Sequence, residues 1–598
     1  MSKIEFIPSP APAYTKSVAV IGCGPTALYF LKHVLDNRSD RLNITFFSAS
    51  DRLGSGVSYH HDRVGDQTLA NIACEEIPNI VMAPNEWFIS RPKYWLEQNR
   101  MDSRRIGPGY IPTRHVLGEY FEAQFKMLLV NAAKLGIAVR CLRQSTVTDV
   151  VPAANGVKVV FLKDGEAKTM EFESAVIATG HLWRGEDASK PRFMASPWPI
   201  SKVVRTEGRN IGLIGTSLSA MDACLALARK NGVFARDFDG RLKFLPNFDL
   251  HDFRIVMHSC KGLLPPIRVH SEYPRFEMYS YISRADIHGH IEQNNGHLSL
   301  DFLFERVLKT VLKEKSPEVF DVIEKMDFEK FIGFLQKRHK ARDPFELLRE
   351  EYAISAASIR DRGPIYWKEV LDDIAYTLNF HIRYLKPGDI IRVHNQLMPL
   401  LTYLIGVLPQ QSCEQILALH EADCLSVVNI GHNLTISGGM DDEPASLVFH
   451  HPQTGQKTTL SYDFIVDCRG QKSIDLADFP FQTLVDTGVV TAAKIKLEPK
   501  APDGGDEHVI GGVSVDECFH PISSTGMSIL SIFILAAPII SGIYPYQSGL
   551  PFCSEVAKVA ADTLHKQVAS EWKGRAAALP AARQSLSVGG MGGRRQSP

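Results

Sequence analysis

The sequence predicts an α/β protein with two nested Rossmann-like folds and a helical insertion. Three observations predict it. A short apolar stretch, "SVAVI", runs into Gly22-Cys23-Gly24-Pro25-Thr26-Ala27 and then into a segment with helical apolar spacing. The same order returns in "RNIGLIGTSLSAMDACLALAR", 209–229, where the turn holds Gly215, Ser217, Ser219 and Ala220. Each unit also has a later partner, an apolar strand that stops on a small turn: "SAVIATGH" at Gly180 and "DFIVDCRGQ" at Gly470.

In a strand-turn-helix unit of this kind the first glycine makes the tight turn and the second leaves room for a pyrophosphate on the helix N-terminus. Gly22 and Gly24 match those roles, Pro25 opens the helix, and Ala27 takes the third position, where a small residue packs helix on strand. The plain alternative is a tight corner with no ligand. The next strand, "NITFFSAS", ends on Ser48 where an acid is expected to hold the ribose, and Asp51 follows three positions later. A serine offers one hydroxyl there and no bidentate charge.

The second turn admits a rival, the G-x-S-x-G nucleophile elbow of hydrolases. Ser219 stands where the elbow needs its second glycine, so a pyridine-nucleotide site with Ser217 and Ser219 near the phosphates is the better reading. "FRIVMHSCKG" then ends a strand near Ser259 and Lys261, where a 2′-phosphate would lie; Lys261 there favours NADPH over NADH, against the alternative of a solvated turn lysine.

Spacing places the insertion. From Gly22 to Gly180 is 158 positions, while from Gly215 to Gly470 is 255, and residues 298–387 carry apolar residues at three- and four-residue spacing with charges between. The expected organisation is an FAD-binding first part over 15–200, an NAD(P)-binding unit over 205–470 interrupted by helices at 298–387, a second FAD-binding part over 471–570, and a disordered tail over 575–598.

Composition narrows the partners. Sixty-six basic and 67 acidic residues leave a net charge of -1, so no global field favours nucleic acid or anionic membrane. Ten scattered cysteines without C-x-x-C spacing, and an opening without an apolar signal core, point to reduced thiols and the cytoplasm. The uncharged stretch 527–544 is broken by Pro538, Gly542 and serines and reads as a buried strand and turn, not a membrane span. His288, His290 and His297 lack the ligand pattern of a metal site and read as a surface loop.

With these motifs the chain resembles the bacterial two-dinucleotide-fold flavoproteins related to flavin-dependent N-hydroxylating monooxygenases. "LGSGVSYHHDRVGDQTLANI" resembles the segment that leads to the flavin ring, with Asn71 in the place of a recurrent asparagine. Pro112, Arg114 and Gly118 in "YIPTRHVLGEYF" match a motif that packs on FAD, and Thr179-Gly180 match the link between the two folds. Departures are Ala27, Ser48 and the "AAP" at 536–538, where relatives carry a glycine beside the flavin.

The resemblance implies FAD and NADPH or NADH as cofactors. It also implies a monooxygenase in which dioxygen adds at flavin C4a and an oxygen passes to a nucleophilic nitrogen, with Asn71 beside the reaction and the amino group of an amino acid as the acceptor. An oxidoreductase without oxygen insertion and a non-catalytic dinucleotide-binding protein are the alternatives. Expected partners are a small-molecule substrate and dioxygen, with self-association left open. If the substrate carries a carboxylate, a buried arginine suits it, and Arg268, after the apolar "GLLPPI" run, is the candidate among Arg268, Arg275 and Arg284.

Overall fold

The structure is a computed structural model that describes residues 15–181, 191–250, 252–338, 342–404, 406–437, 443–471, 474–496, 507–546 and 549–584. Two five-stranded parallel sheets organise it. In the first, the order is Ile532–Ile534, Ser174–Ile177, Lys16–Ile21, Leu42–Phe47 and Ala138–Leu142. The strand Lys16–Ile21 sits centrally with Val18, Ala19 and Val20 wholly buried, as expected of a strand covered on both faces. The second sheet runs Leu425–Asn429, Arg254–Ser259, Asn210–Ile214, Phe464–Asp467 and Phe193–Met194.

The repetition extends beyond the sheets. A three-stranded antiparallel unit, 145–172, precedes the strand Ser174–Ile177, and another, 434–462, precedes Phe464–Asp467. The two-fold reading of the sequence therefore holds. The two-residue strand Phe193–Met194 lies in the stretch assigned by sequence to the first unit, yet it bonds to the second sheet, and two residues carry too little pattern to be read.

A block of helices occupies the crossover between the strands Arg254–Ser259 and Leu425–Asn429. It runs from Arg284–Gln293 to Met398–Leu404, wider on both sides than the 298–387 read from periodicity, and closes on its own apolar cluster that includes Leu308, Val370 and Val393. His288 and His290 belong to the first of these helices, not to a surface loop. His290 stacks on Phe302 at 3.8 Å and His288 meets His381 edge-on at 5.8 Å.

The stretch 527–544 forms the short buried strand Ile532–Ile534 and the turn Ala537–Ile539, and among the described residues no helix is long and apolar enough to cross a membrane. The final helix, Gly549–Gln584, packs along Pro25–Asp36, tied by Lys16 Nζ to Glu571 (2.6 Å) and by Asn37 Nδ2 to Asp562 (2.8 Å). It runs past residue 575, where the sequence suggests a disordered tail; residues 585–598 lie outside the described residues.

Candidate functional site

The helix Pro25–Asp36 begins at Gly24 with no side-chain cap, and the helix Leu218–Asn231 begins at Ser217 in the same way. Some helices elsewhere carry such caps, with Thr113 accepting from Val116 N, Ser283 from Asp286 N and Asp343 from Phe345 N, while others, Tyr366–Asn379 and Gln410–Glu421 among them, also lack one; the two site helices differ in that their starts line a cavity. An uncapped N-terminus leaves N–H groups and the positive end of the helix dipole to an anion.

The glycines before these helices differ in why they are needed. Gly22 has φ +102, and a Cβ there would lie 2.2 Å from the Ala178 carbonyl oxygen, so the neighbouring strand end forbids any side chain. Gly24 has an ordinary extended backbone, and its Cβ would stand 3.3 Å from Gly56 Cα. Gly22 shapes the corner; Gly24 keeps the space above the helix.

That space is a cavity of about 1040 Å³, large for a small-molecule site and sufficient for an extended dinucleotide. It is lined by Gly22, Gly24, Pro25, Ser48, Asn71, Arg114, Thr179, Gly180 and Ser217, which the structure brings together from both folds. Ala27 lies beneath, fully buried in the first helix. Two polar atoms on this wall are buried without a hydrogen-bond partner, Thr179 Oγ1 and Arg114 Nε. Such groups cost about 1–3 kcal/mol each unless a ligand satisfies them. With the open cradle at Gly24 and the uncapped helix, the residues present fit FAD.

Ser48 is buried at the end of its strand. Its hydroxyl donates to Arg52 O and accepts from Ser50 N, both at 3.3 Å, so it organises the 48–52 turn at the cavity wall. At the rim, His60, His61 and Asp62 present ligand-type atoms within 4.8 Å of one another, and the His60 ring also bonds Ser50 Oγ at 3.1 Å.

A second, smaller cavity of about 190 Å³ is lined by Gly215, Thr216, Ser217, His258, Ser259, Cys260, His432 and Arg469 among others. Ser217 faces both cavities, so the N-terminus of the second helix is their common wall. This arrangement fits a pyridine nucleotide reaching from the second sheet toward the first. Ser219 is half-buried and Ala220 fully buried in the first turn of that helix. His258 is no base for Ser217: its ring nitrogens bond Leu213 O at 3.0 Å and Tyr462 Oη at 2.8 Å. Lys261 follows the lining residues but is absent from the wall, whereas Arg469 is on it, oriented by Asp467 at 2.6 Å.

The two folds also meet through charge. Arg114 Nη2 stands 3.6 Å from Asp222 Oδ2. Burial raises the Asp222 carboxyl to about 6, with Arg114 and Arg229 pulling the other way. Because the folded value exceeds the unfolded one, the contribution of this carboxyl to stability is fully present below about pH 4 and is lost as pH rises through about 6, by roughly 3 kcal/mol at 1.36 kcal/mol per unit. Asp222→Asn should remove this decline. The thermal midpoint of the variant, relative to the parent, is expected to climb between pH 4 and 7, and a constant difference would refute the assignment.

Arg268 requires correction as the carboxylate clamp. Its stem is buried as the apolar run suggests, but Nη2 is paired with Glu76 Oε1 at 2.6 Å and the residue does not line the cavity. Glu76 is almost wholly buried and far off in sequence, so no local signal revealed the pair. Arg275, from the same arginine cluster, does line the cavity, as do Phe276, Leu401, Pro538 and Tyr546, which sequence reasoning did not single out.

Residues 19–182 match the FAD-NAD(P)-binding family, and residues 283–405 match the YdhS-like middle domain. The uncharacterized protein YdhS of Escherichia coli (strain K12) is 25% identical over 556 residues, covering 92% of this chain and 98% of that protein. Among solved structures, an ornithine N-hydroxylase from Kutzneria sp. 744 is 13% identical with a TM-score of 0.49, covering 92% of this chain and 99% of that one. An L-lysine 6-monooxygenase from Pseudomonas syringae is 12% identical with a TM-score of 0.41, covering 93% and 99%. The chain thus carries an FAD-NAD(P)-binding domain and, later, a YdhS-like middle domain.

Proposed function

We propose that the chain is an FAD-dependent, NAD(P)H-consuming monooxygenase that delivers oxygen to a nucleophilic nitrogen, the amino group of an amino acid. The observation that carries this reading is the common wall at Ser217, which lets a coenzyme held on one uncapped helix reach the cavity that begins at the other. Bound FAD supplies the redox and oxygen chemistry, accepting a hydride from NAD(P)H and activating dioxygen.

The chain's own residues do the rest. Gly24 and the first turn of its helix hold the pyrophosphate, Ser48 the ribose, and Thr179 and Arg114 offer donors along the wall. Asn71 lines the same cavity, and its amide is able both to donate to an oxygen and to accept from an amine. Phe276, Leu401, Val407, Pro538 and Phe552 make much of the wall apolar, which keeps water from the reacting atoms.

The test is substrate-stimulated NADPH oxidation with oxygen uptake across amino acids and simple amines, followed by product mass. A product heavier by one oxygen atom supports the reading. Oxidation of NADPH without any oxygenated product would make the chain a reductase instead. Coenzyme choice gives a separate check: Arg469→Ala should erode an NADPH preference by one charge-assisted contact, about 1.5 to 3 kcal/mol, and Lys261→Ala by less. The ratio of NADPH to NADH kcat/KM reads both.

A further inference from the structure

The large cavity follows the carboxyl ends of the first sheet. Ser48 comes after the strand Leu42–Phe47, Gly22 and Gly24 after Lys16–Ile21, Thr179 and Gly180 after Ser174–Ile177, and Pro538 soon after Ile532–Ile534, so the wall crosses four neighbouring strands in the order of the sheet. A dinucleotide with its pyrophosphate at Gly24 and its adenosine half toward Ser48 extends its other half toward Thr179 and Pro538. Residues outside both dinucleotide motifs close that end. Tyr546 follows the turn Ala537–Ile539, Phe276 comes from the segment that leaves the second fold, and Leu401 from the last helix of the helical block. Phe276 and Tyr546 both meet the Tyr376 ring, at 5.8 and 6.4 Å between centroids, and Leu401 belongs to the apolar cluster on which Tyr546 packs.

The polar groups at this end are engaged by the protein itself. Tyr546 Oη donates to Asp372, Arg275 Nε donates to the other oxygen of Asp372 at 3.1 Å, and the Arg275 guanidinium lies 4.7 Å over the Phe276 ring. Glu76 neighbours Arg275 and pairs with Arg268. Arg268, Arg275, Glu76 and Asp372 thus carry two charges of each sign, and neither carboxylate of this set lines the cavity. Among the described residues the carboxylates that do line it are Asp51 and Asp62, both at the Ser48 end, where the intervening His60 bonds Ser50 Oγ. The far end therefore offers rings and aliphatic stems, with its charges already balanced behind the wall.

The helical block builds this wall. One face of the helix Tyr366–Asn379 straps down the segment 272–281 through backbone donors: Glu369 accepts from Glu272 N and Tyr273 N, Asp373 from Ser280 N and Tyr281 N, and Thr377 Oγ1 from Tyr279 N. Asn379 of the same helix accepts from Tyr546 N at 2.9 Å. Residues spaced at three and four share a helix face, so one element fixes both Phe276 and Tyr546.

We propose that this end of the cavity seats the side chain of the substrate, and that the substrate is a monoamino acid whose side chain is apolar and branched or aromatic. This assignment rests on reading the large cavity as the flavin site and an amino group as the oxygen acceptor. The amino and carboxylate groups then stay toward the polar stretch that holds Asn71 and Arg114, and the side chain goes against Phe276, Leu401, Pro538 and Tyr546. A second ammonium on the side chain would leave water for a place with no free acceptor and meet the charge of Arg275. A second carboxylate would upset a network that is already balanced. An apolar side chain incurs neither cost and gains from burial.

The test uses purified protein with oxidised FAD bound and no NADPH. L-Leucine, L-phenylalanine, L-lysine, L-ornithine and L-aspartate are titrated while flavin absorption and the thermal midpoint are followed. Leucine and phenylalanine are expected to give saturable shifts, and the other three to bind at least tenfold more weakly. Leu401→Asp, which puts a carboxylate on the seat, should reverse the order of leucine and lysine. Leu401 is buried, so a second variant guards against misfolding: Phe276→Asn sits at φ +66, a conformation asparagine adopts more readily than phenylalanine, and should weaken leucine and phenylalanine at least tenfold with FAD content unchanged. Lysine, ornithine or aspartate binding as tightly as leucine, or no amino acid moving either signal, would overturn the proposal. So would a Phe276→Asn that binds leucine like the parent, or one that folds but sheds FAD. The titration needs no turnover: leucine that binds and yields no oxygenated product would count against the monooxygenase reading and leave the seat standing, whereas lysine oxygenated in preference to leucine would keep that reading and end the seat.

Discussion

Gly24→Val is expected to purify as folded protein with little bound flavin, less than about a tenth of the parent stoichiometry. The backbone at Gly24 is extended, so valine meets no strain there, and its Cβ would approach Gly56 Cα to 3.3 Å, a contact that a small shift relieves. The fold therefore tolerates the change. The ligand does not, because the added branches enter the space over the uncapped helix start, where a pyrophosphate must come close to N–H groups. Gly22→Ala should behave differently: the Ala178 oxygen would lie 2.2 Å from its Cβ and φ is +102, so this variant should lose stability along with flavin. Flavin absorbance per protein and the thermal midpoint of the stripped protein separate the two. Equal flavin binding by Gly24→Val and the parent would remove the cofactor from this cavity.

The parallel strands Lys16–Ile21, Leu42–Phe47, Ser174–Ile177, Asn210–Ile214, Arg254–Ser259 and Phe464–Asp467 were legible because each is a short apolar run that ends on a glycine or a small polar turn, whereas Ala138–Leu142, Leu425–Asn429 and the two-residue Phe193–Met194 were not. The helical block was legible through its three- and four-residue spacing, but its start was not. Residues 273–281 carry no period because they are held by acids of a later helix, Glu369 and Asp373, through their backbone N–H groups. A main-chain donor leaves no mark in the sequence. The same limit separates Arg268 from Arg275. Both sit in one cluster with aromatic neighbours, and only tertiary partners, Glu76 for one and Asp372 for the other, decide which faces the cavity. The site motifs at Gly22–Ala27 and Gly215–Ala220 were readable because their chemistry is local, a turn followed by a helix start. The histidines of Arg284–Gln293 misled because aromatic contacts, His290 stacked on Phe302 and His288 edge-on to His381, replace the apolar pattern that would have marked a helix.

Gly215→Ala should leave FAD in place and raise the KM for NADPH more than tenfold. Gly215 has φ +114, a conformation costing an L-residue on the order of 1–3 kcal/mol, and its Cβ would stand 3.2 Å from the Cys468 oxygen at the end of the strand Phe464–Asp467. Its N–H is also bonded to His258 O at 2.6 Å, so the turn is held from two adjacent strands and cannot move freely to admit a methyl. The displacement must pass into Thr216 and Ser217, and Ser217 is the residue that both cavities share. Gly215 itself does not line the large cavity, so flavin content should stay near that of the parent, and reduction of the flavin by dithionite should be unaffected. Reduction by NADPH, followed at increasing coenzyme concentration in a stopped-flow instrument without oxygen, should saturate only at much higher concentration. If Gly215→Ala instead sheds FAD as completely as Gly24→Val, the two turns serve one ligand, and the division of labour between the two sheets is wrong.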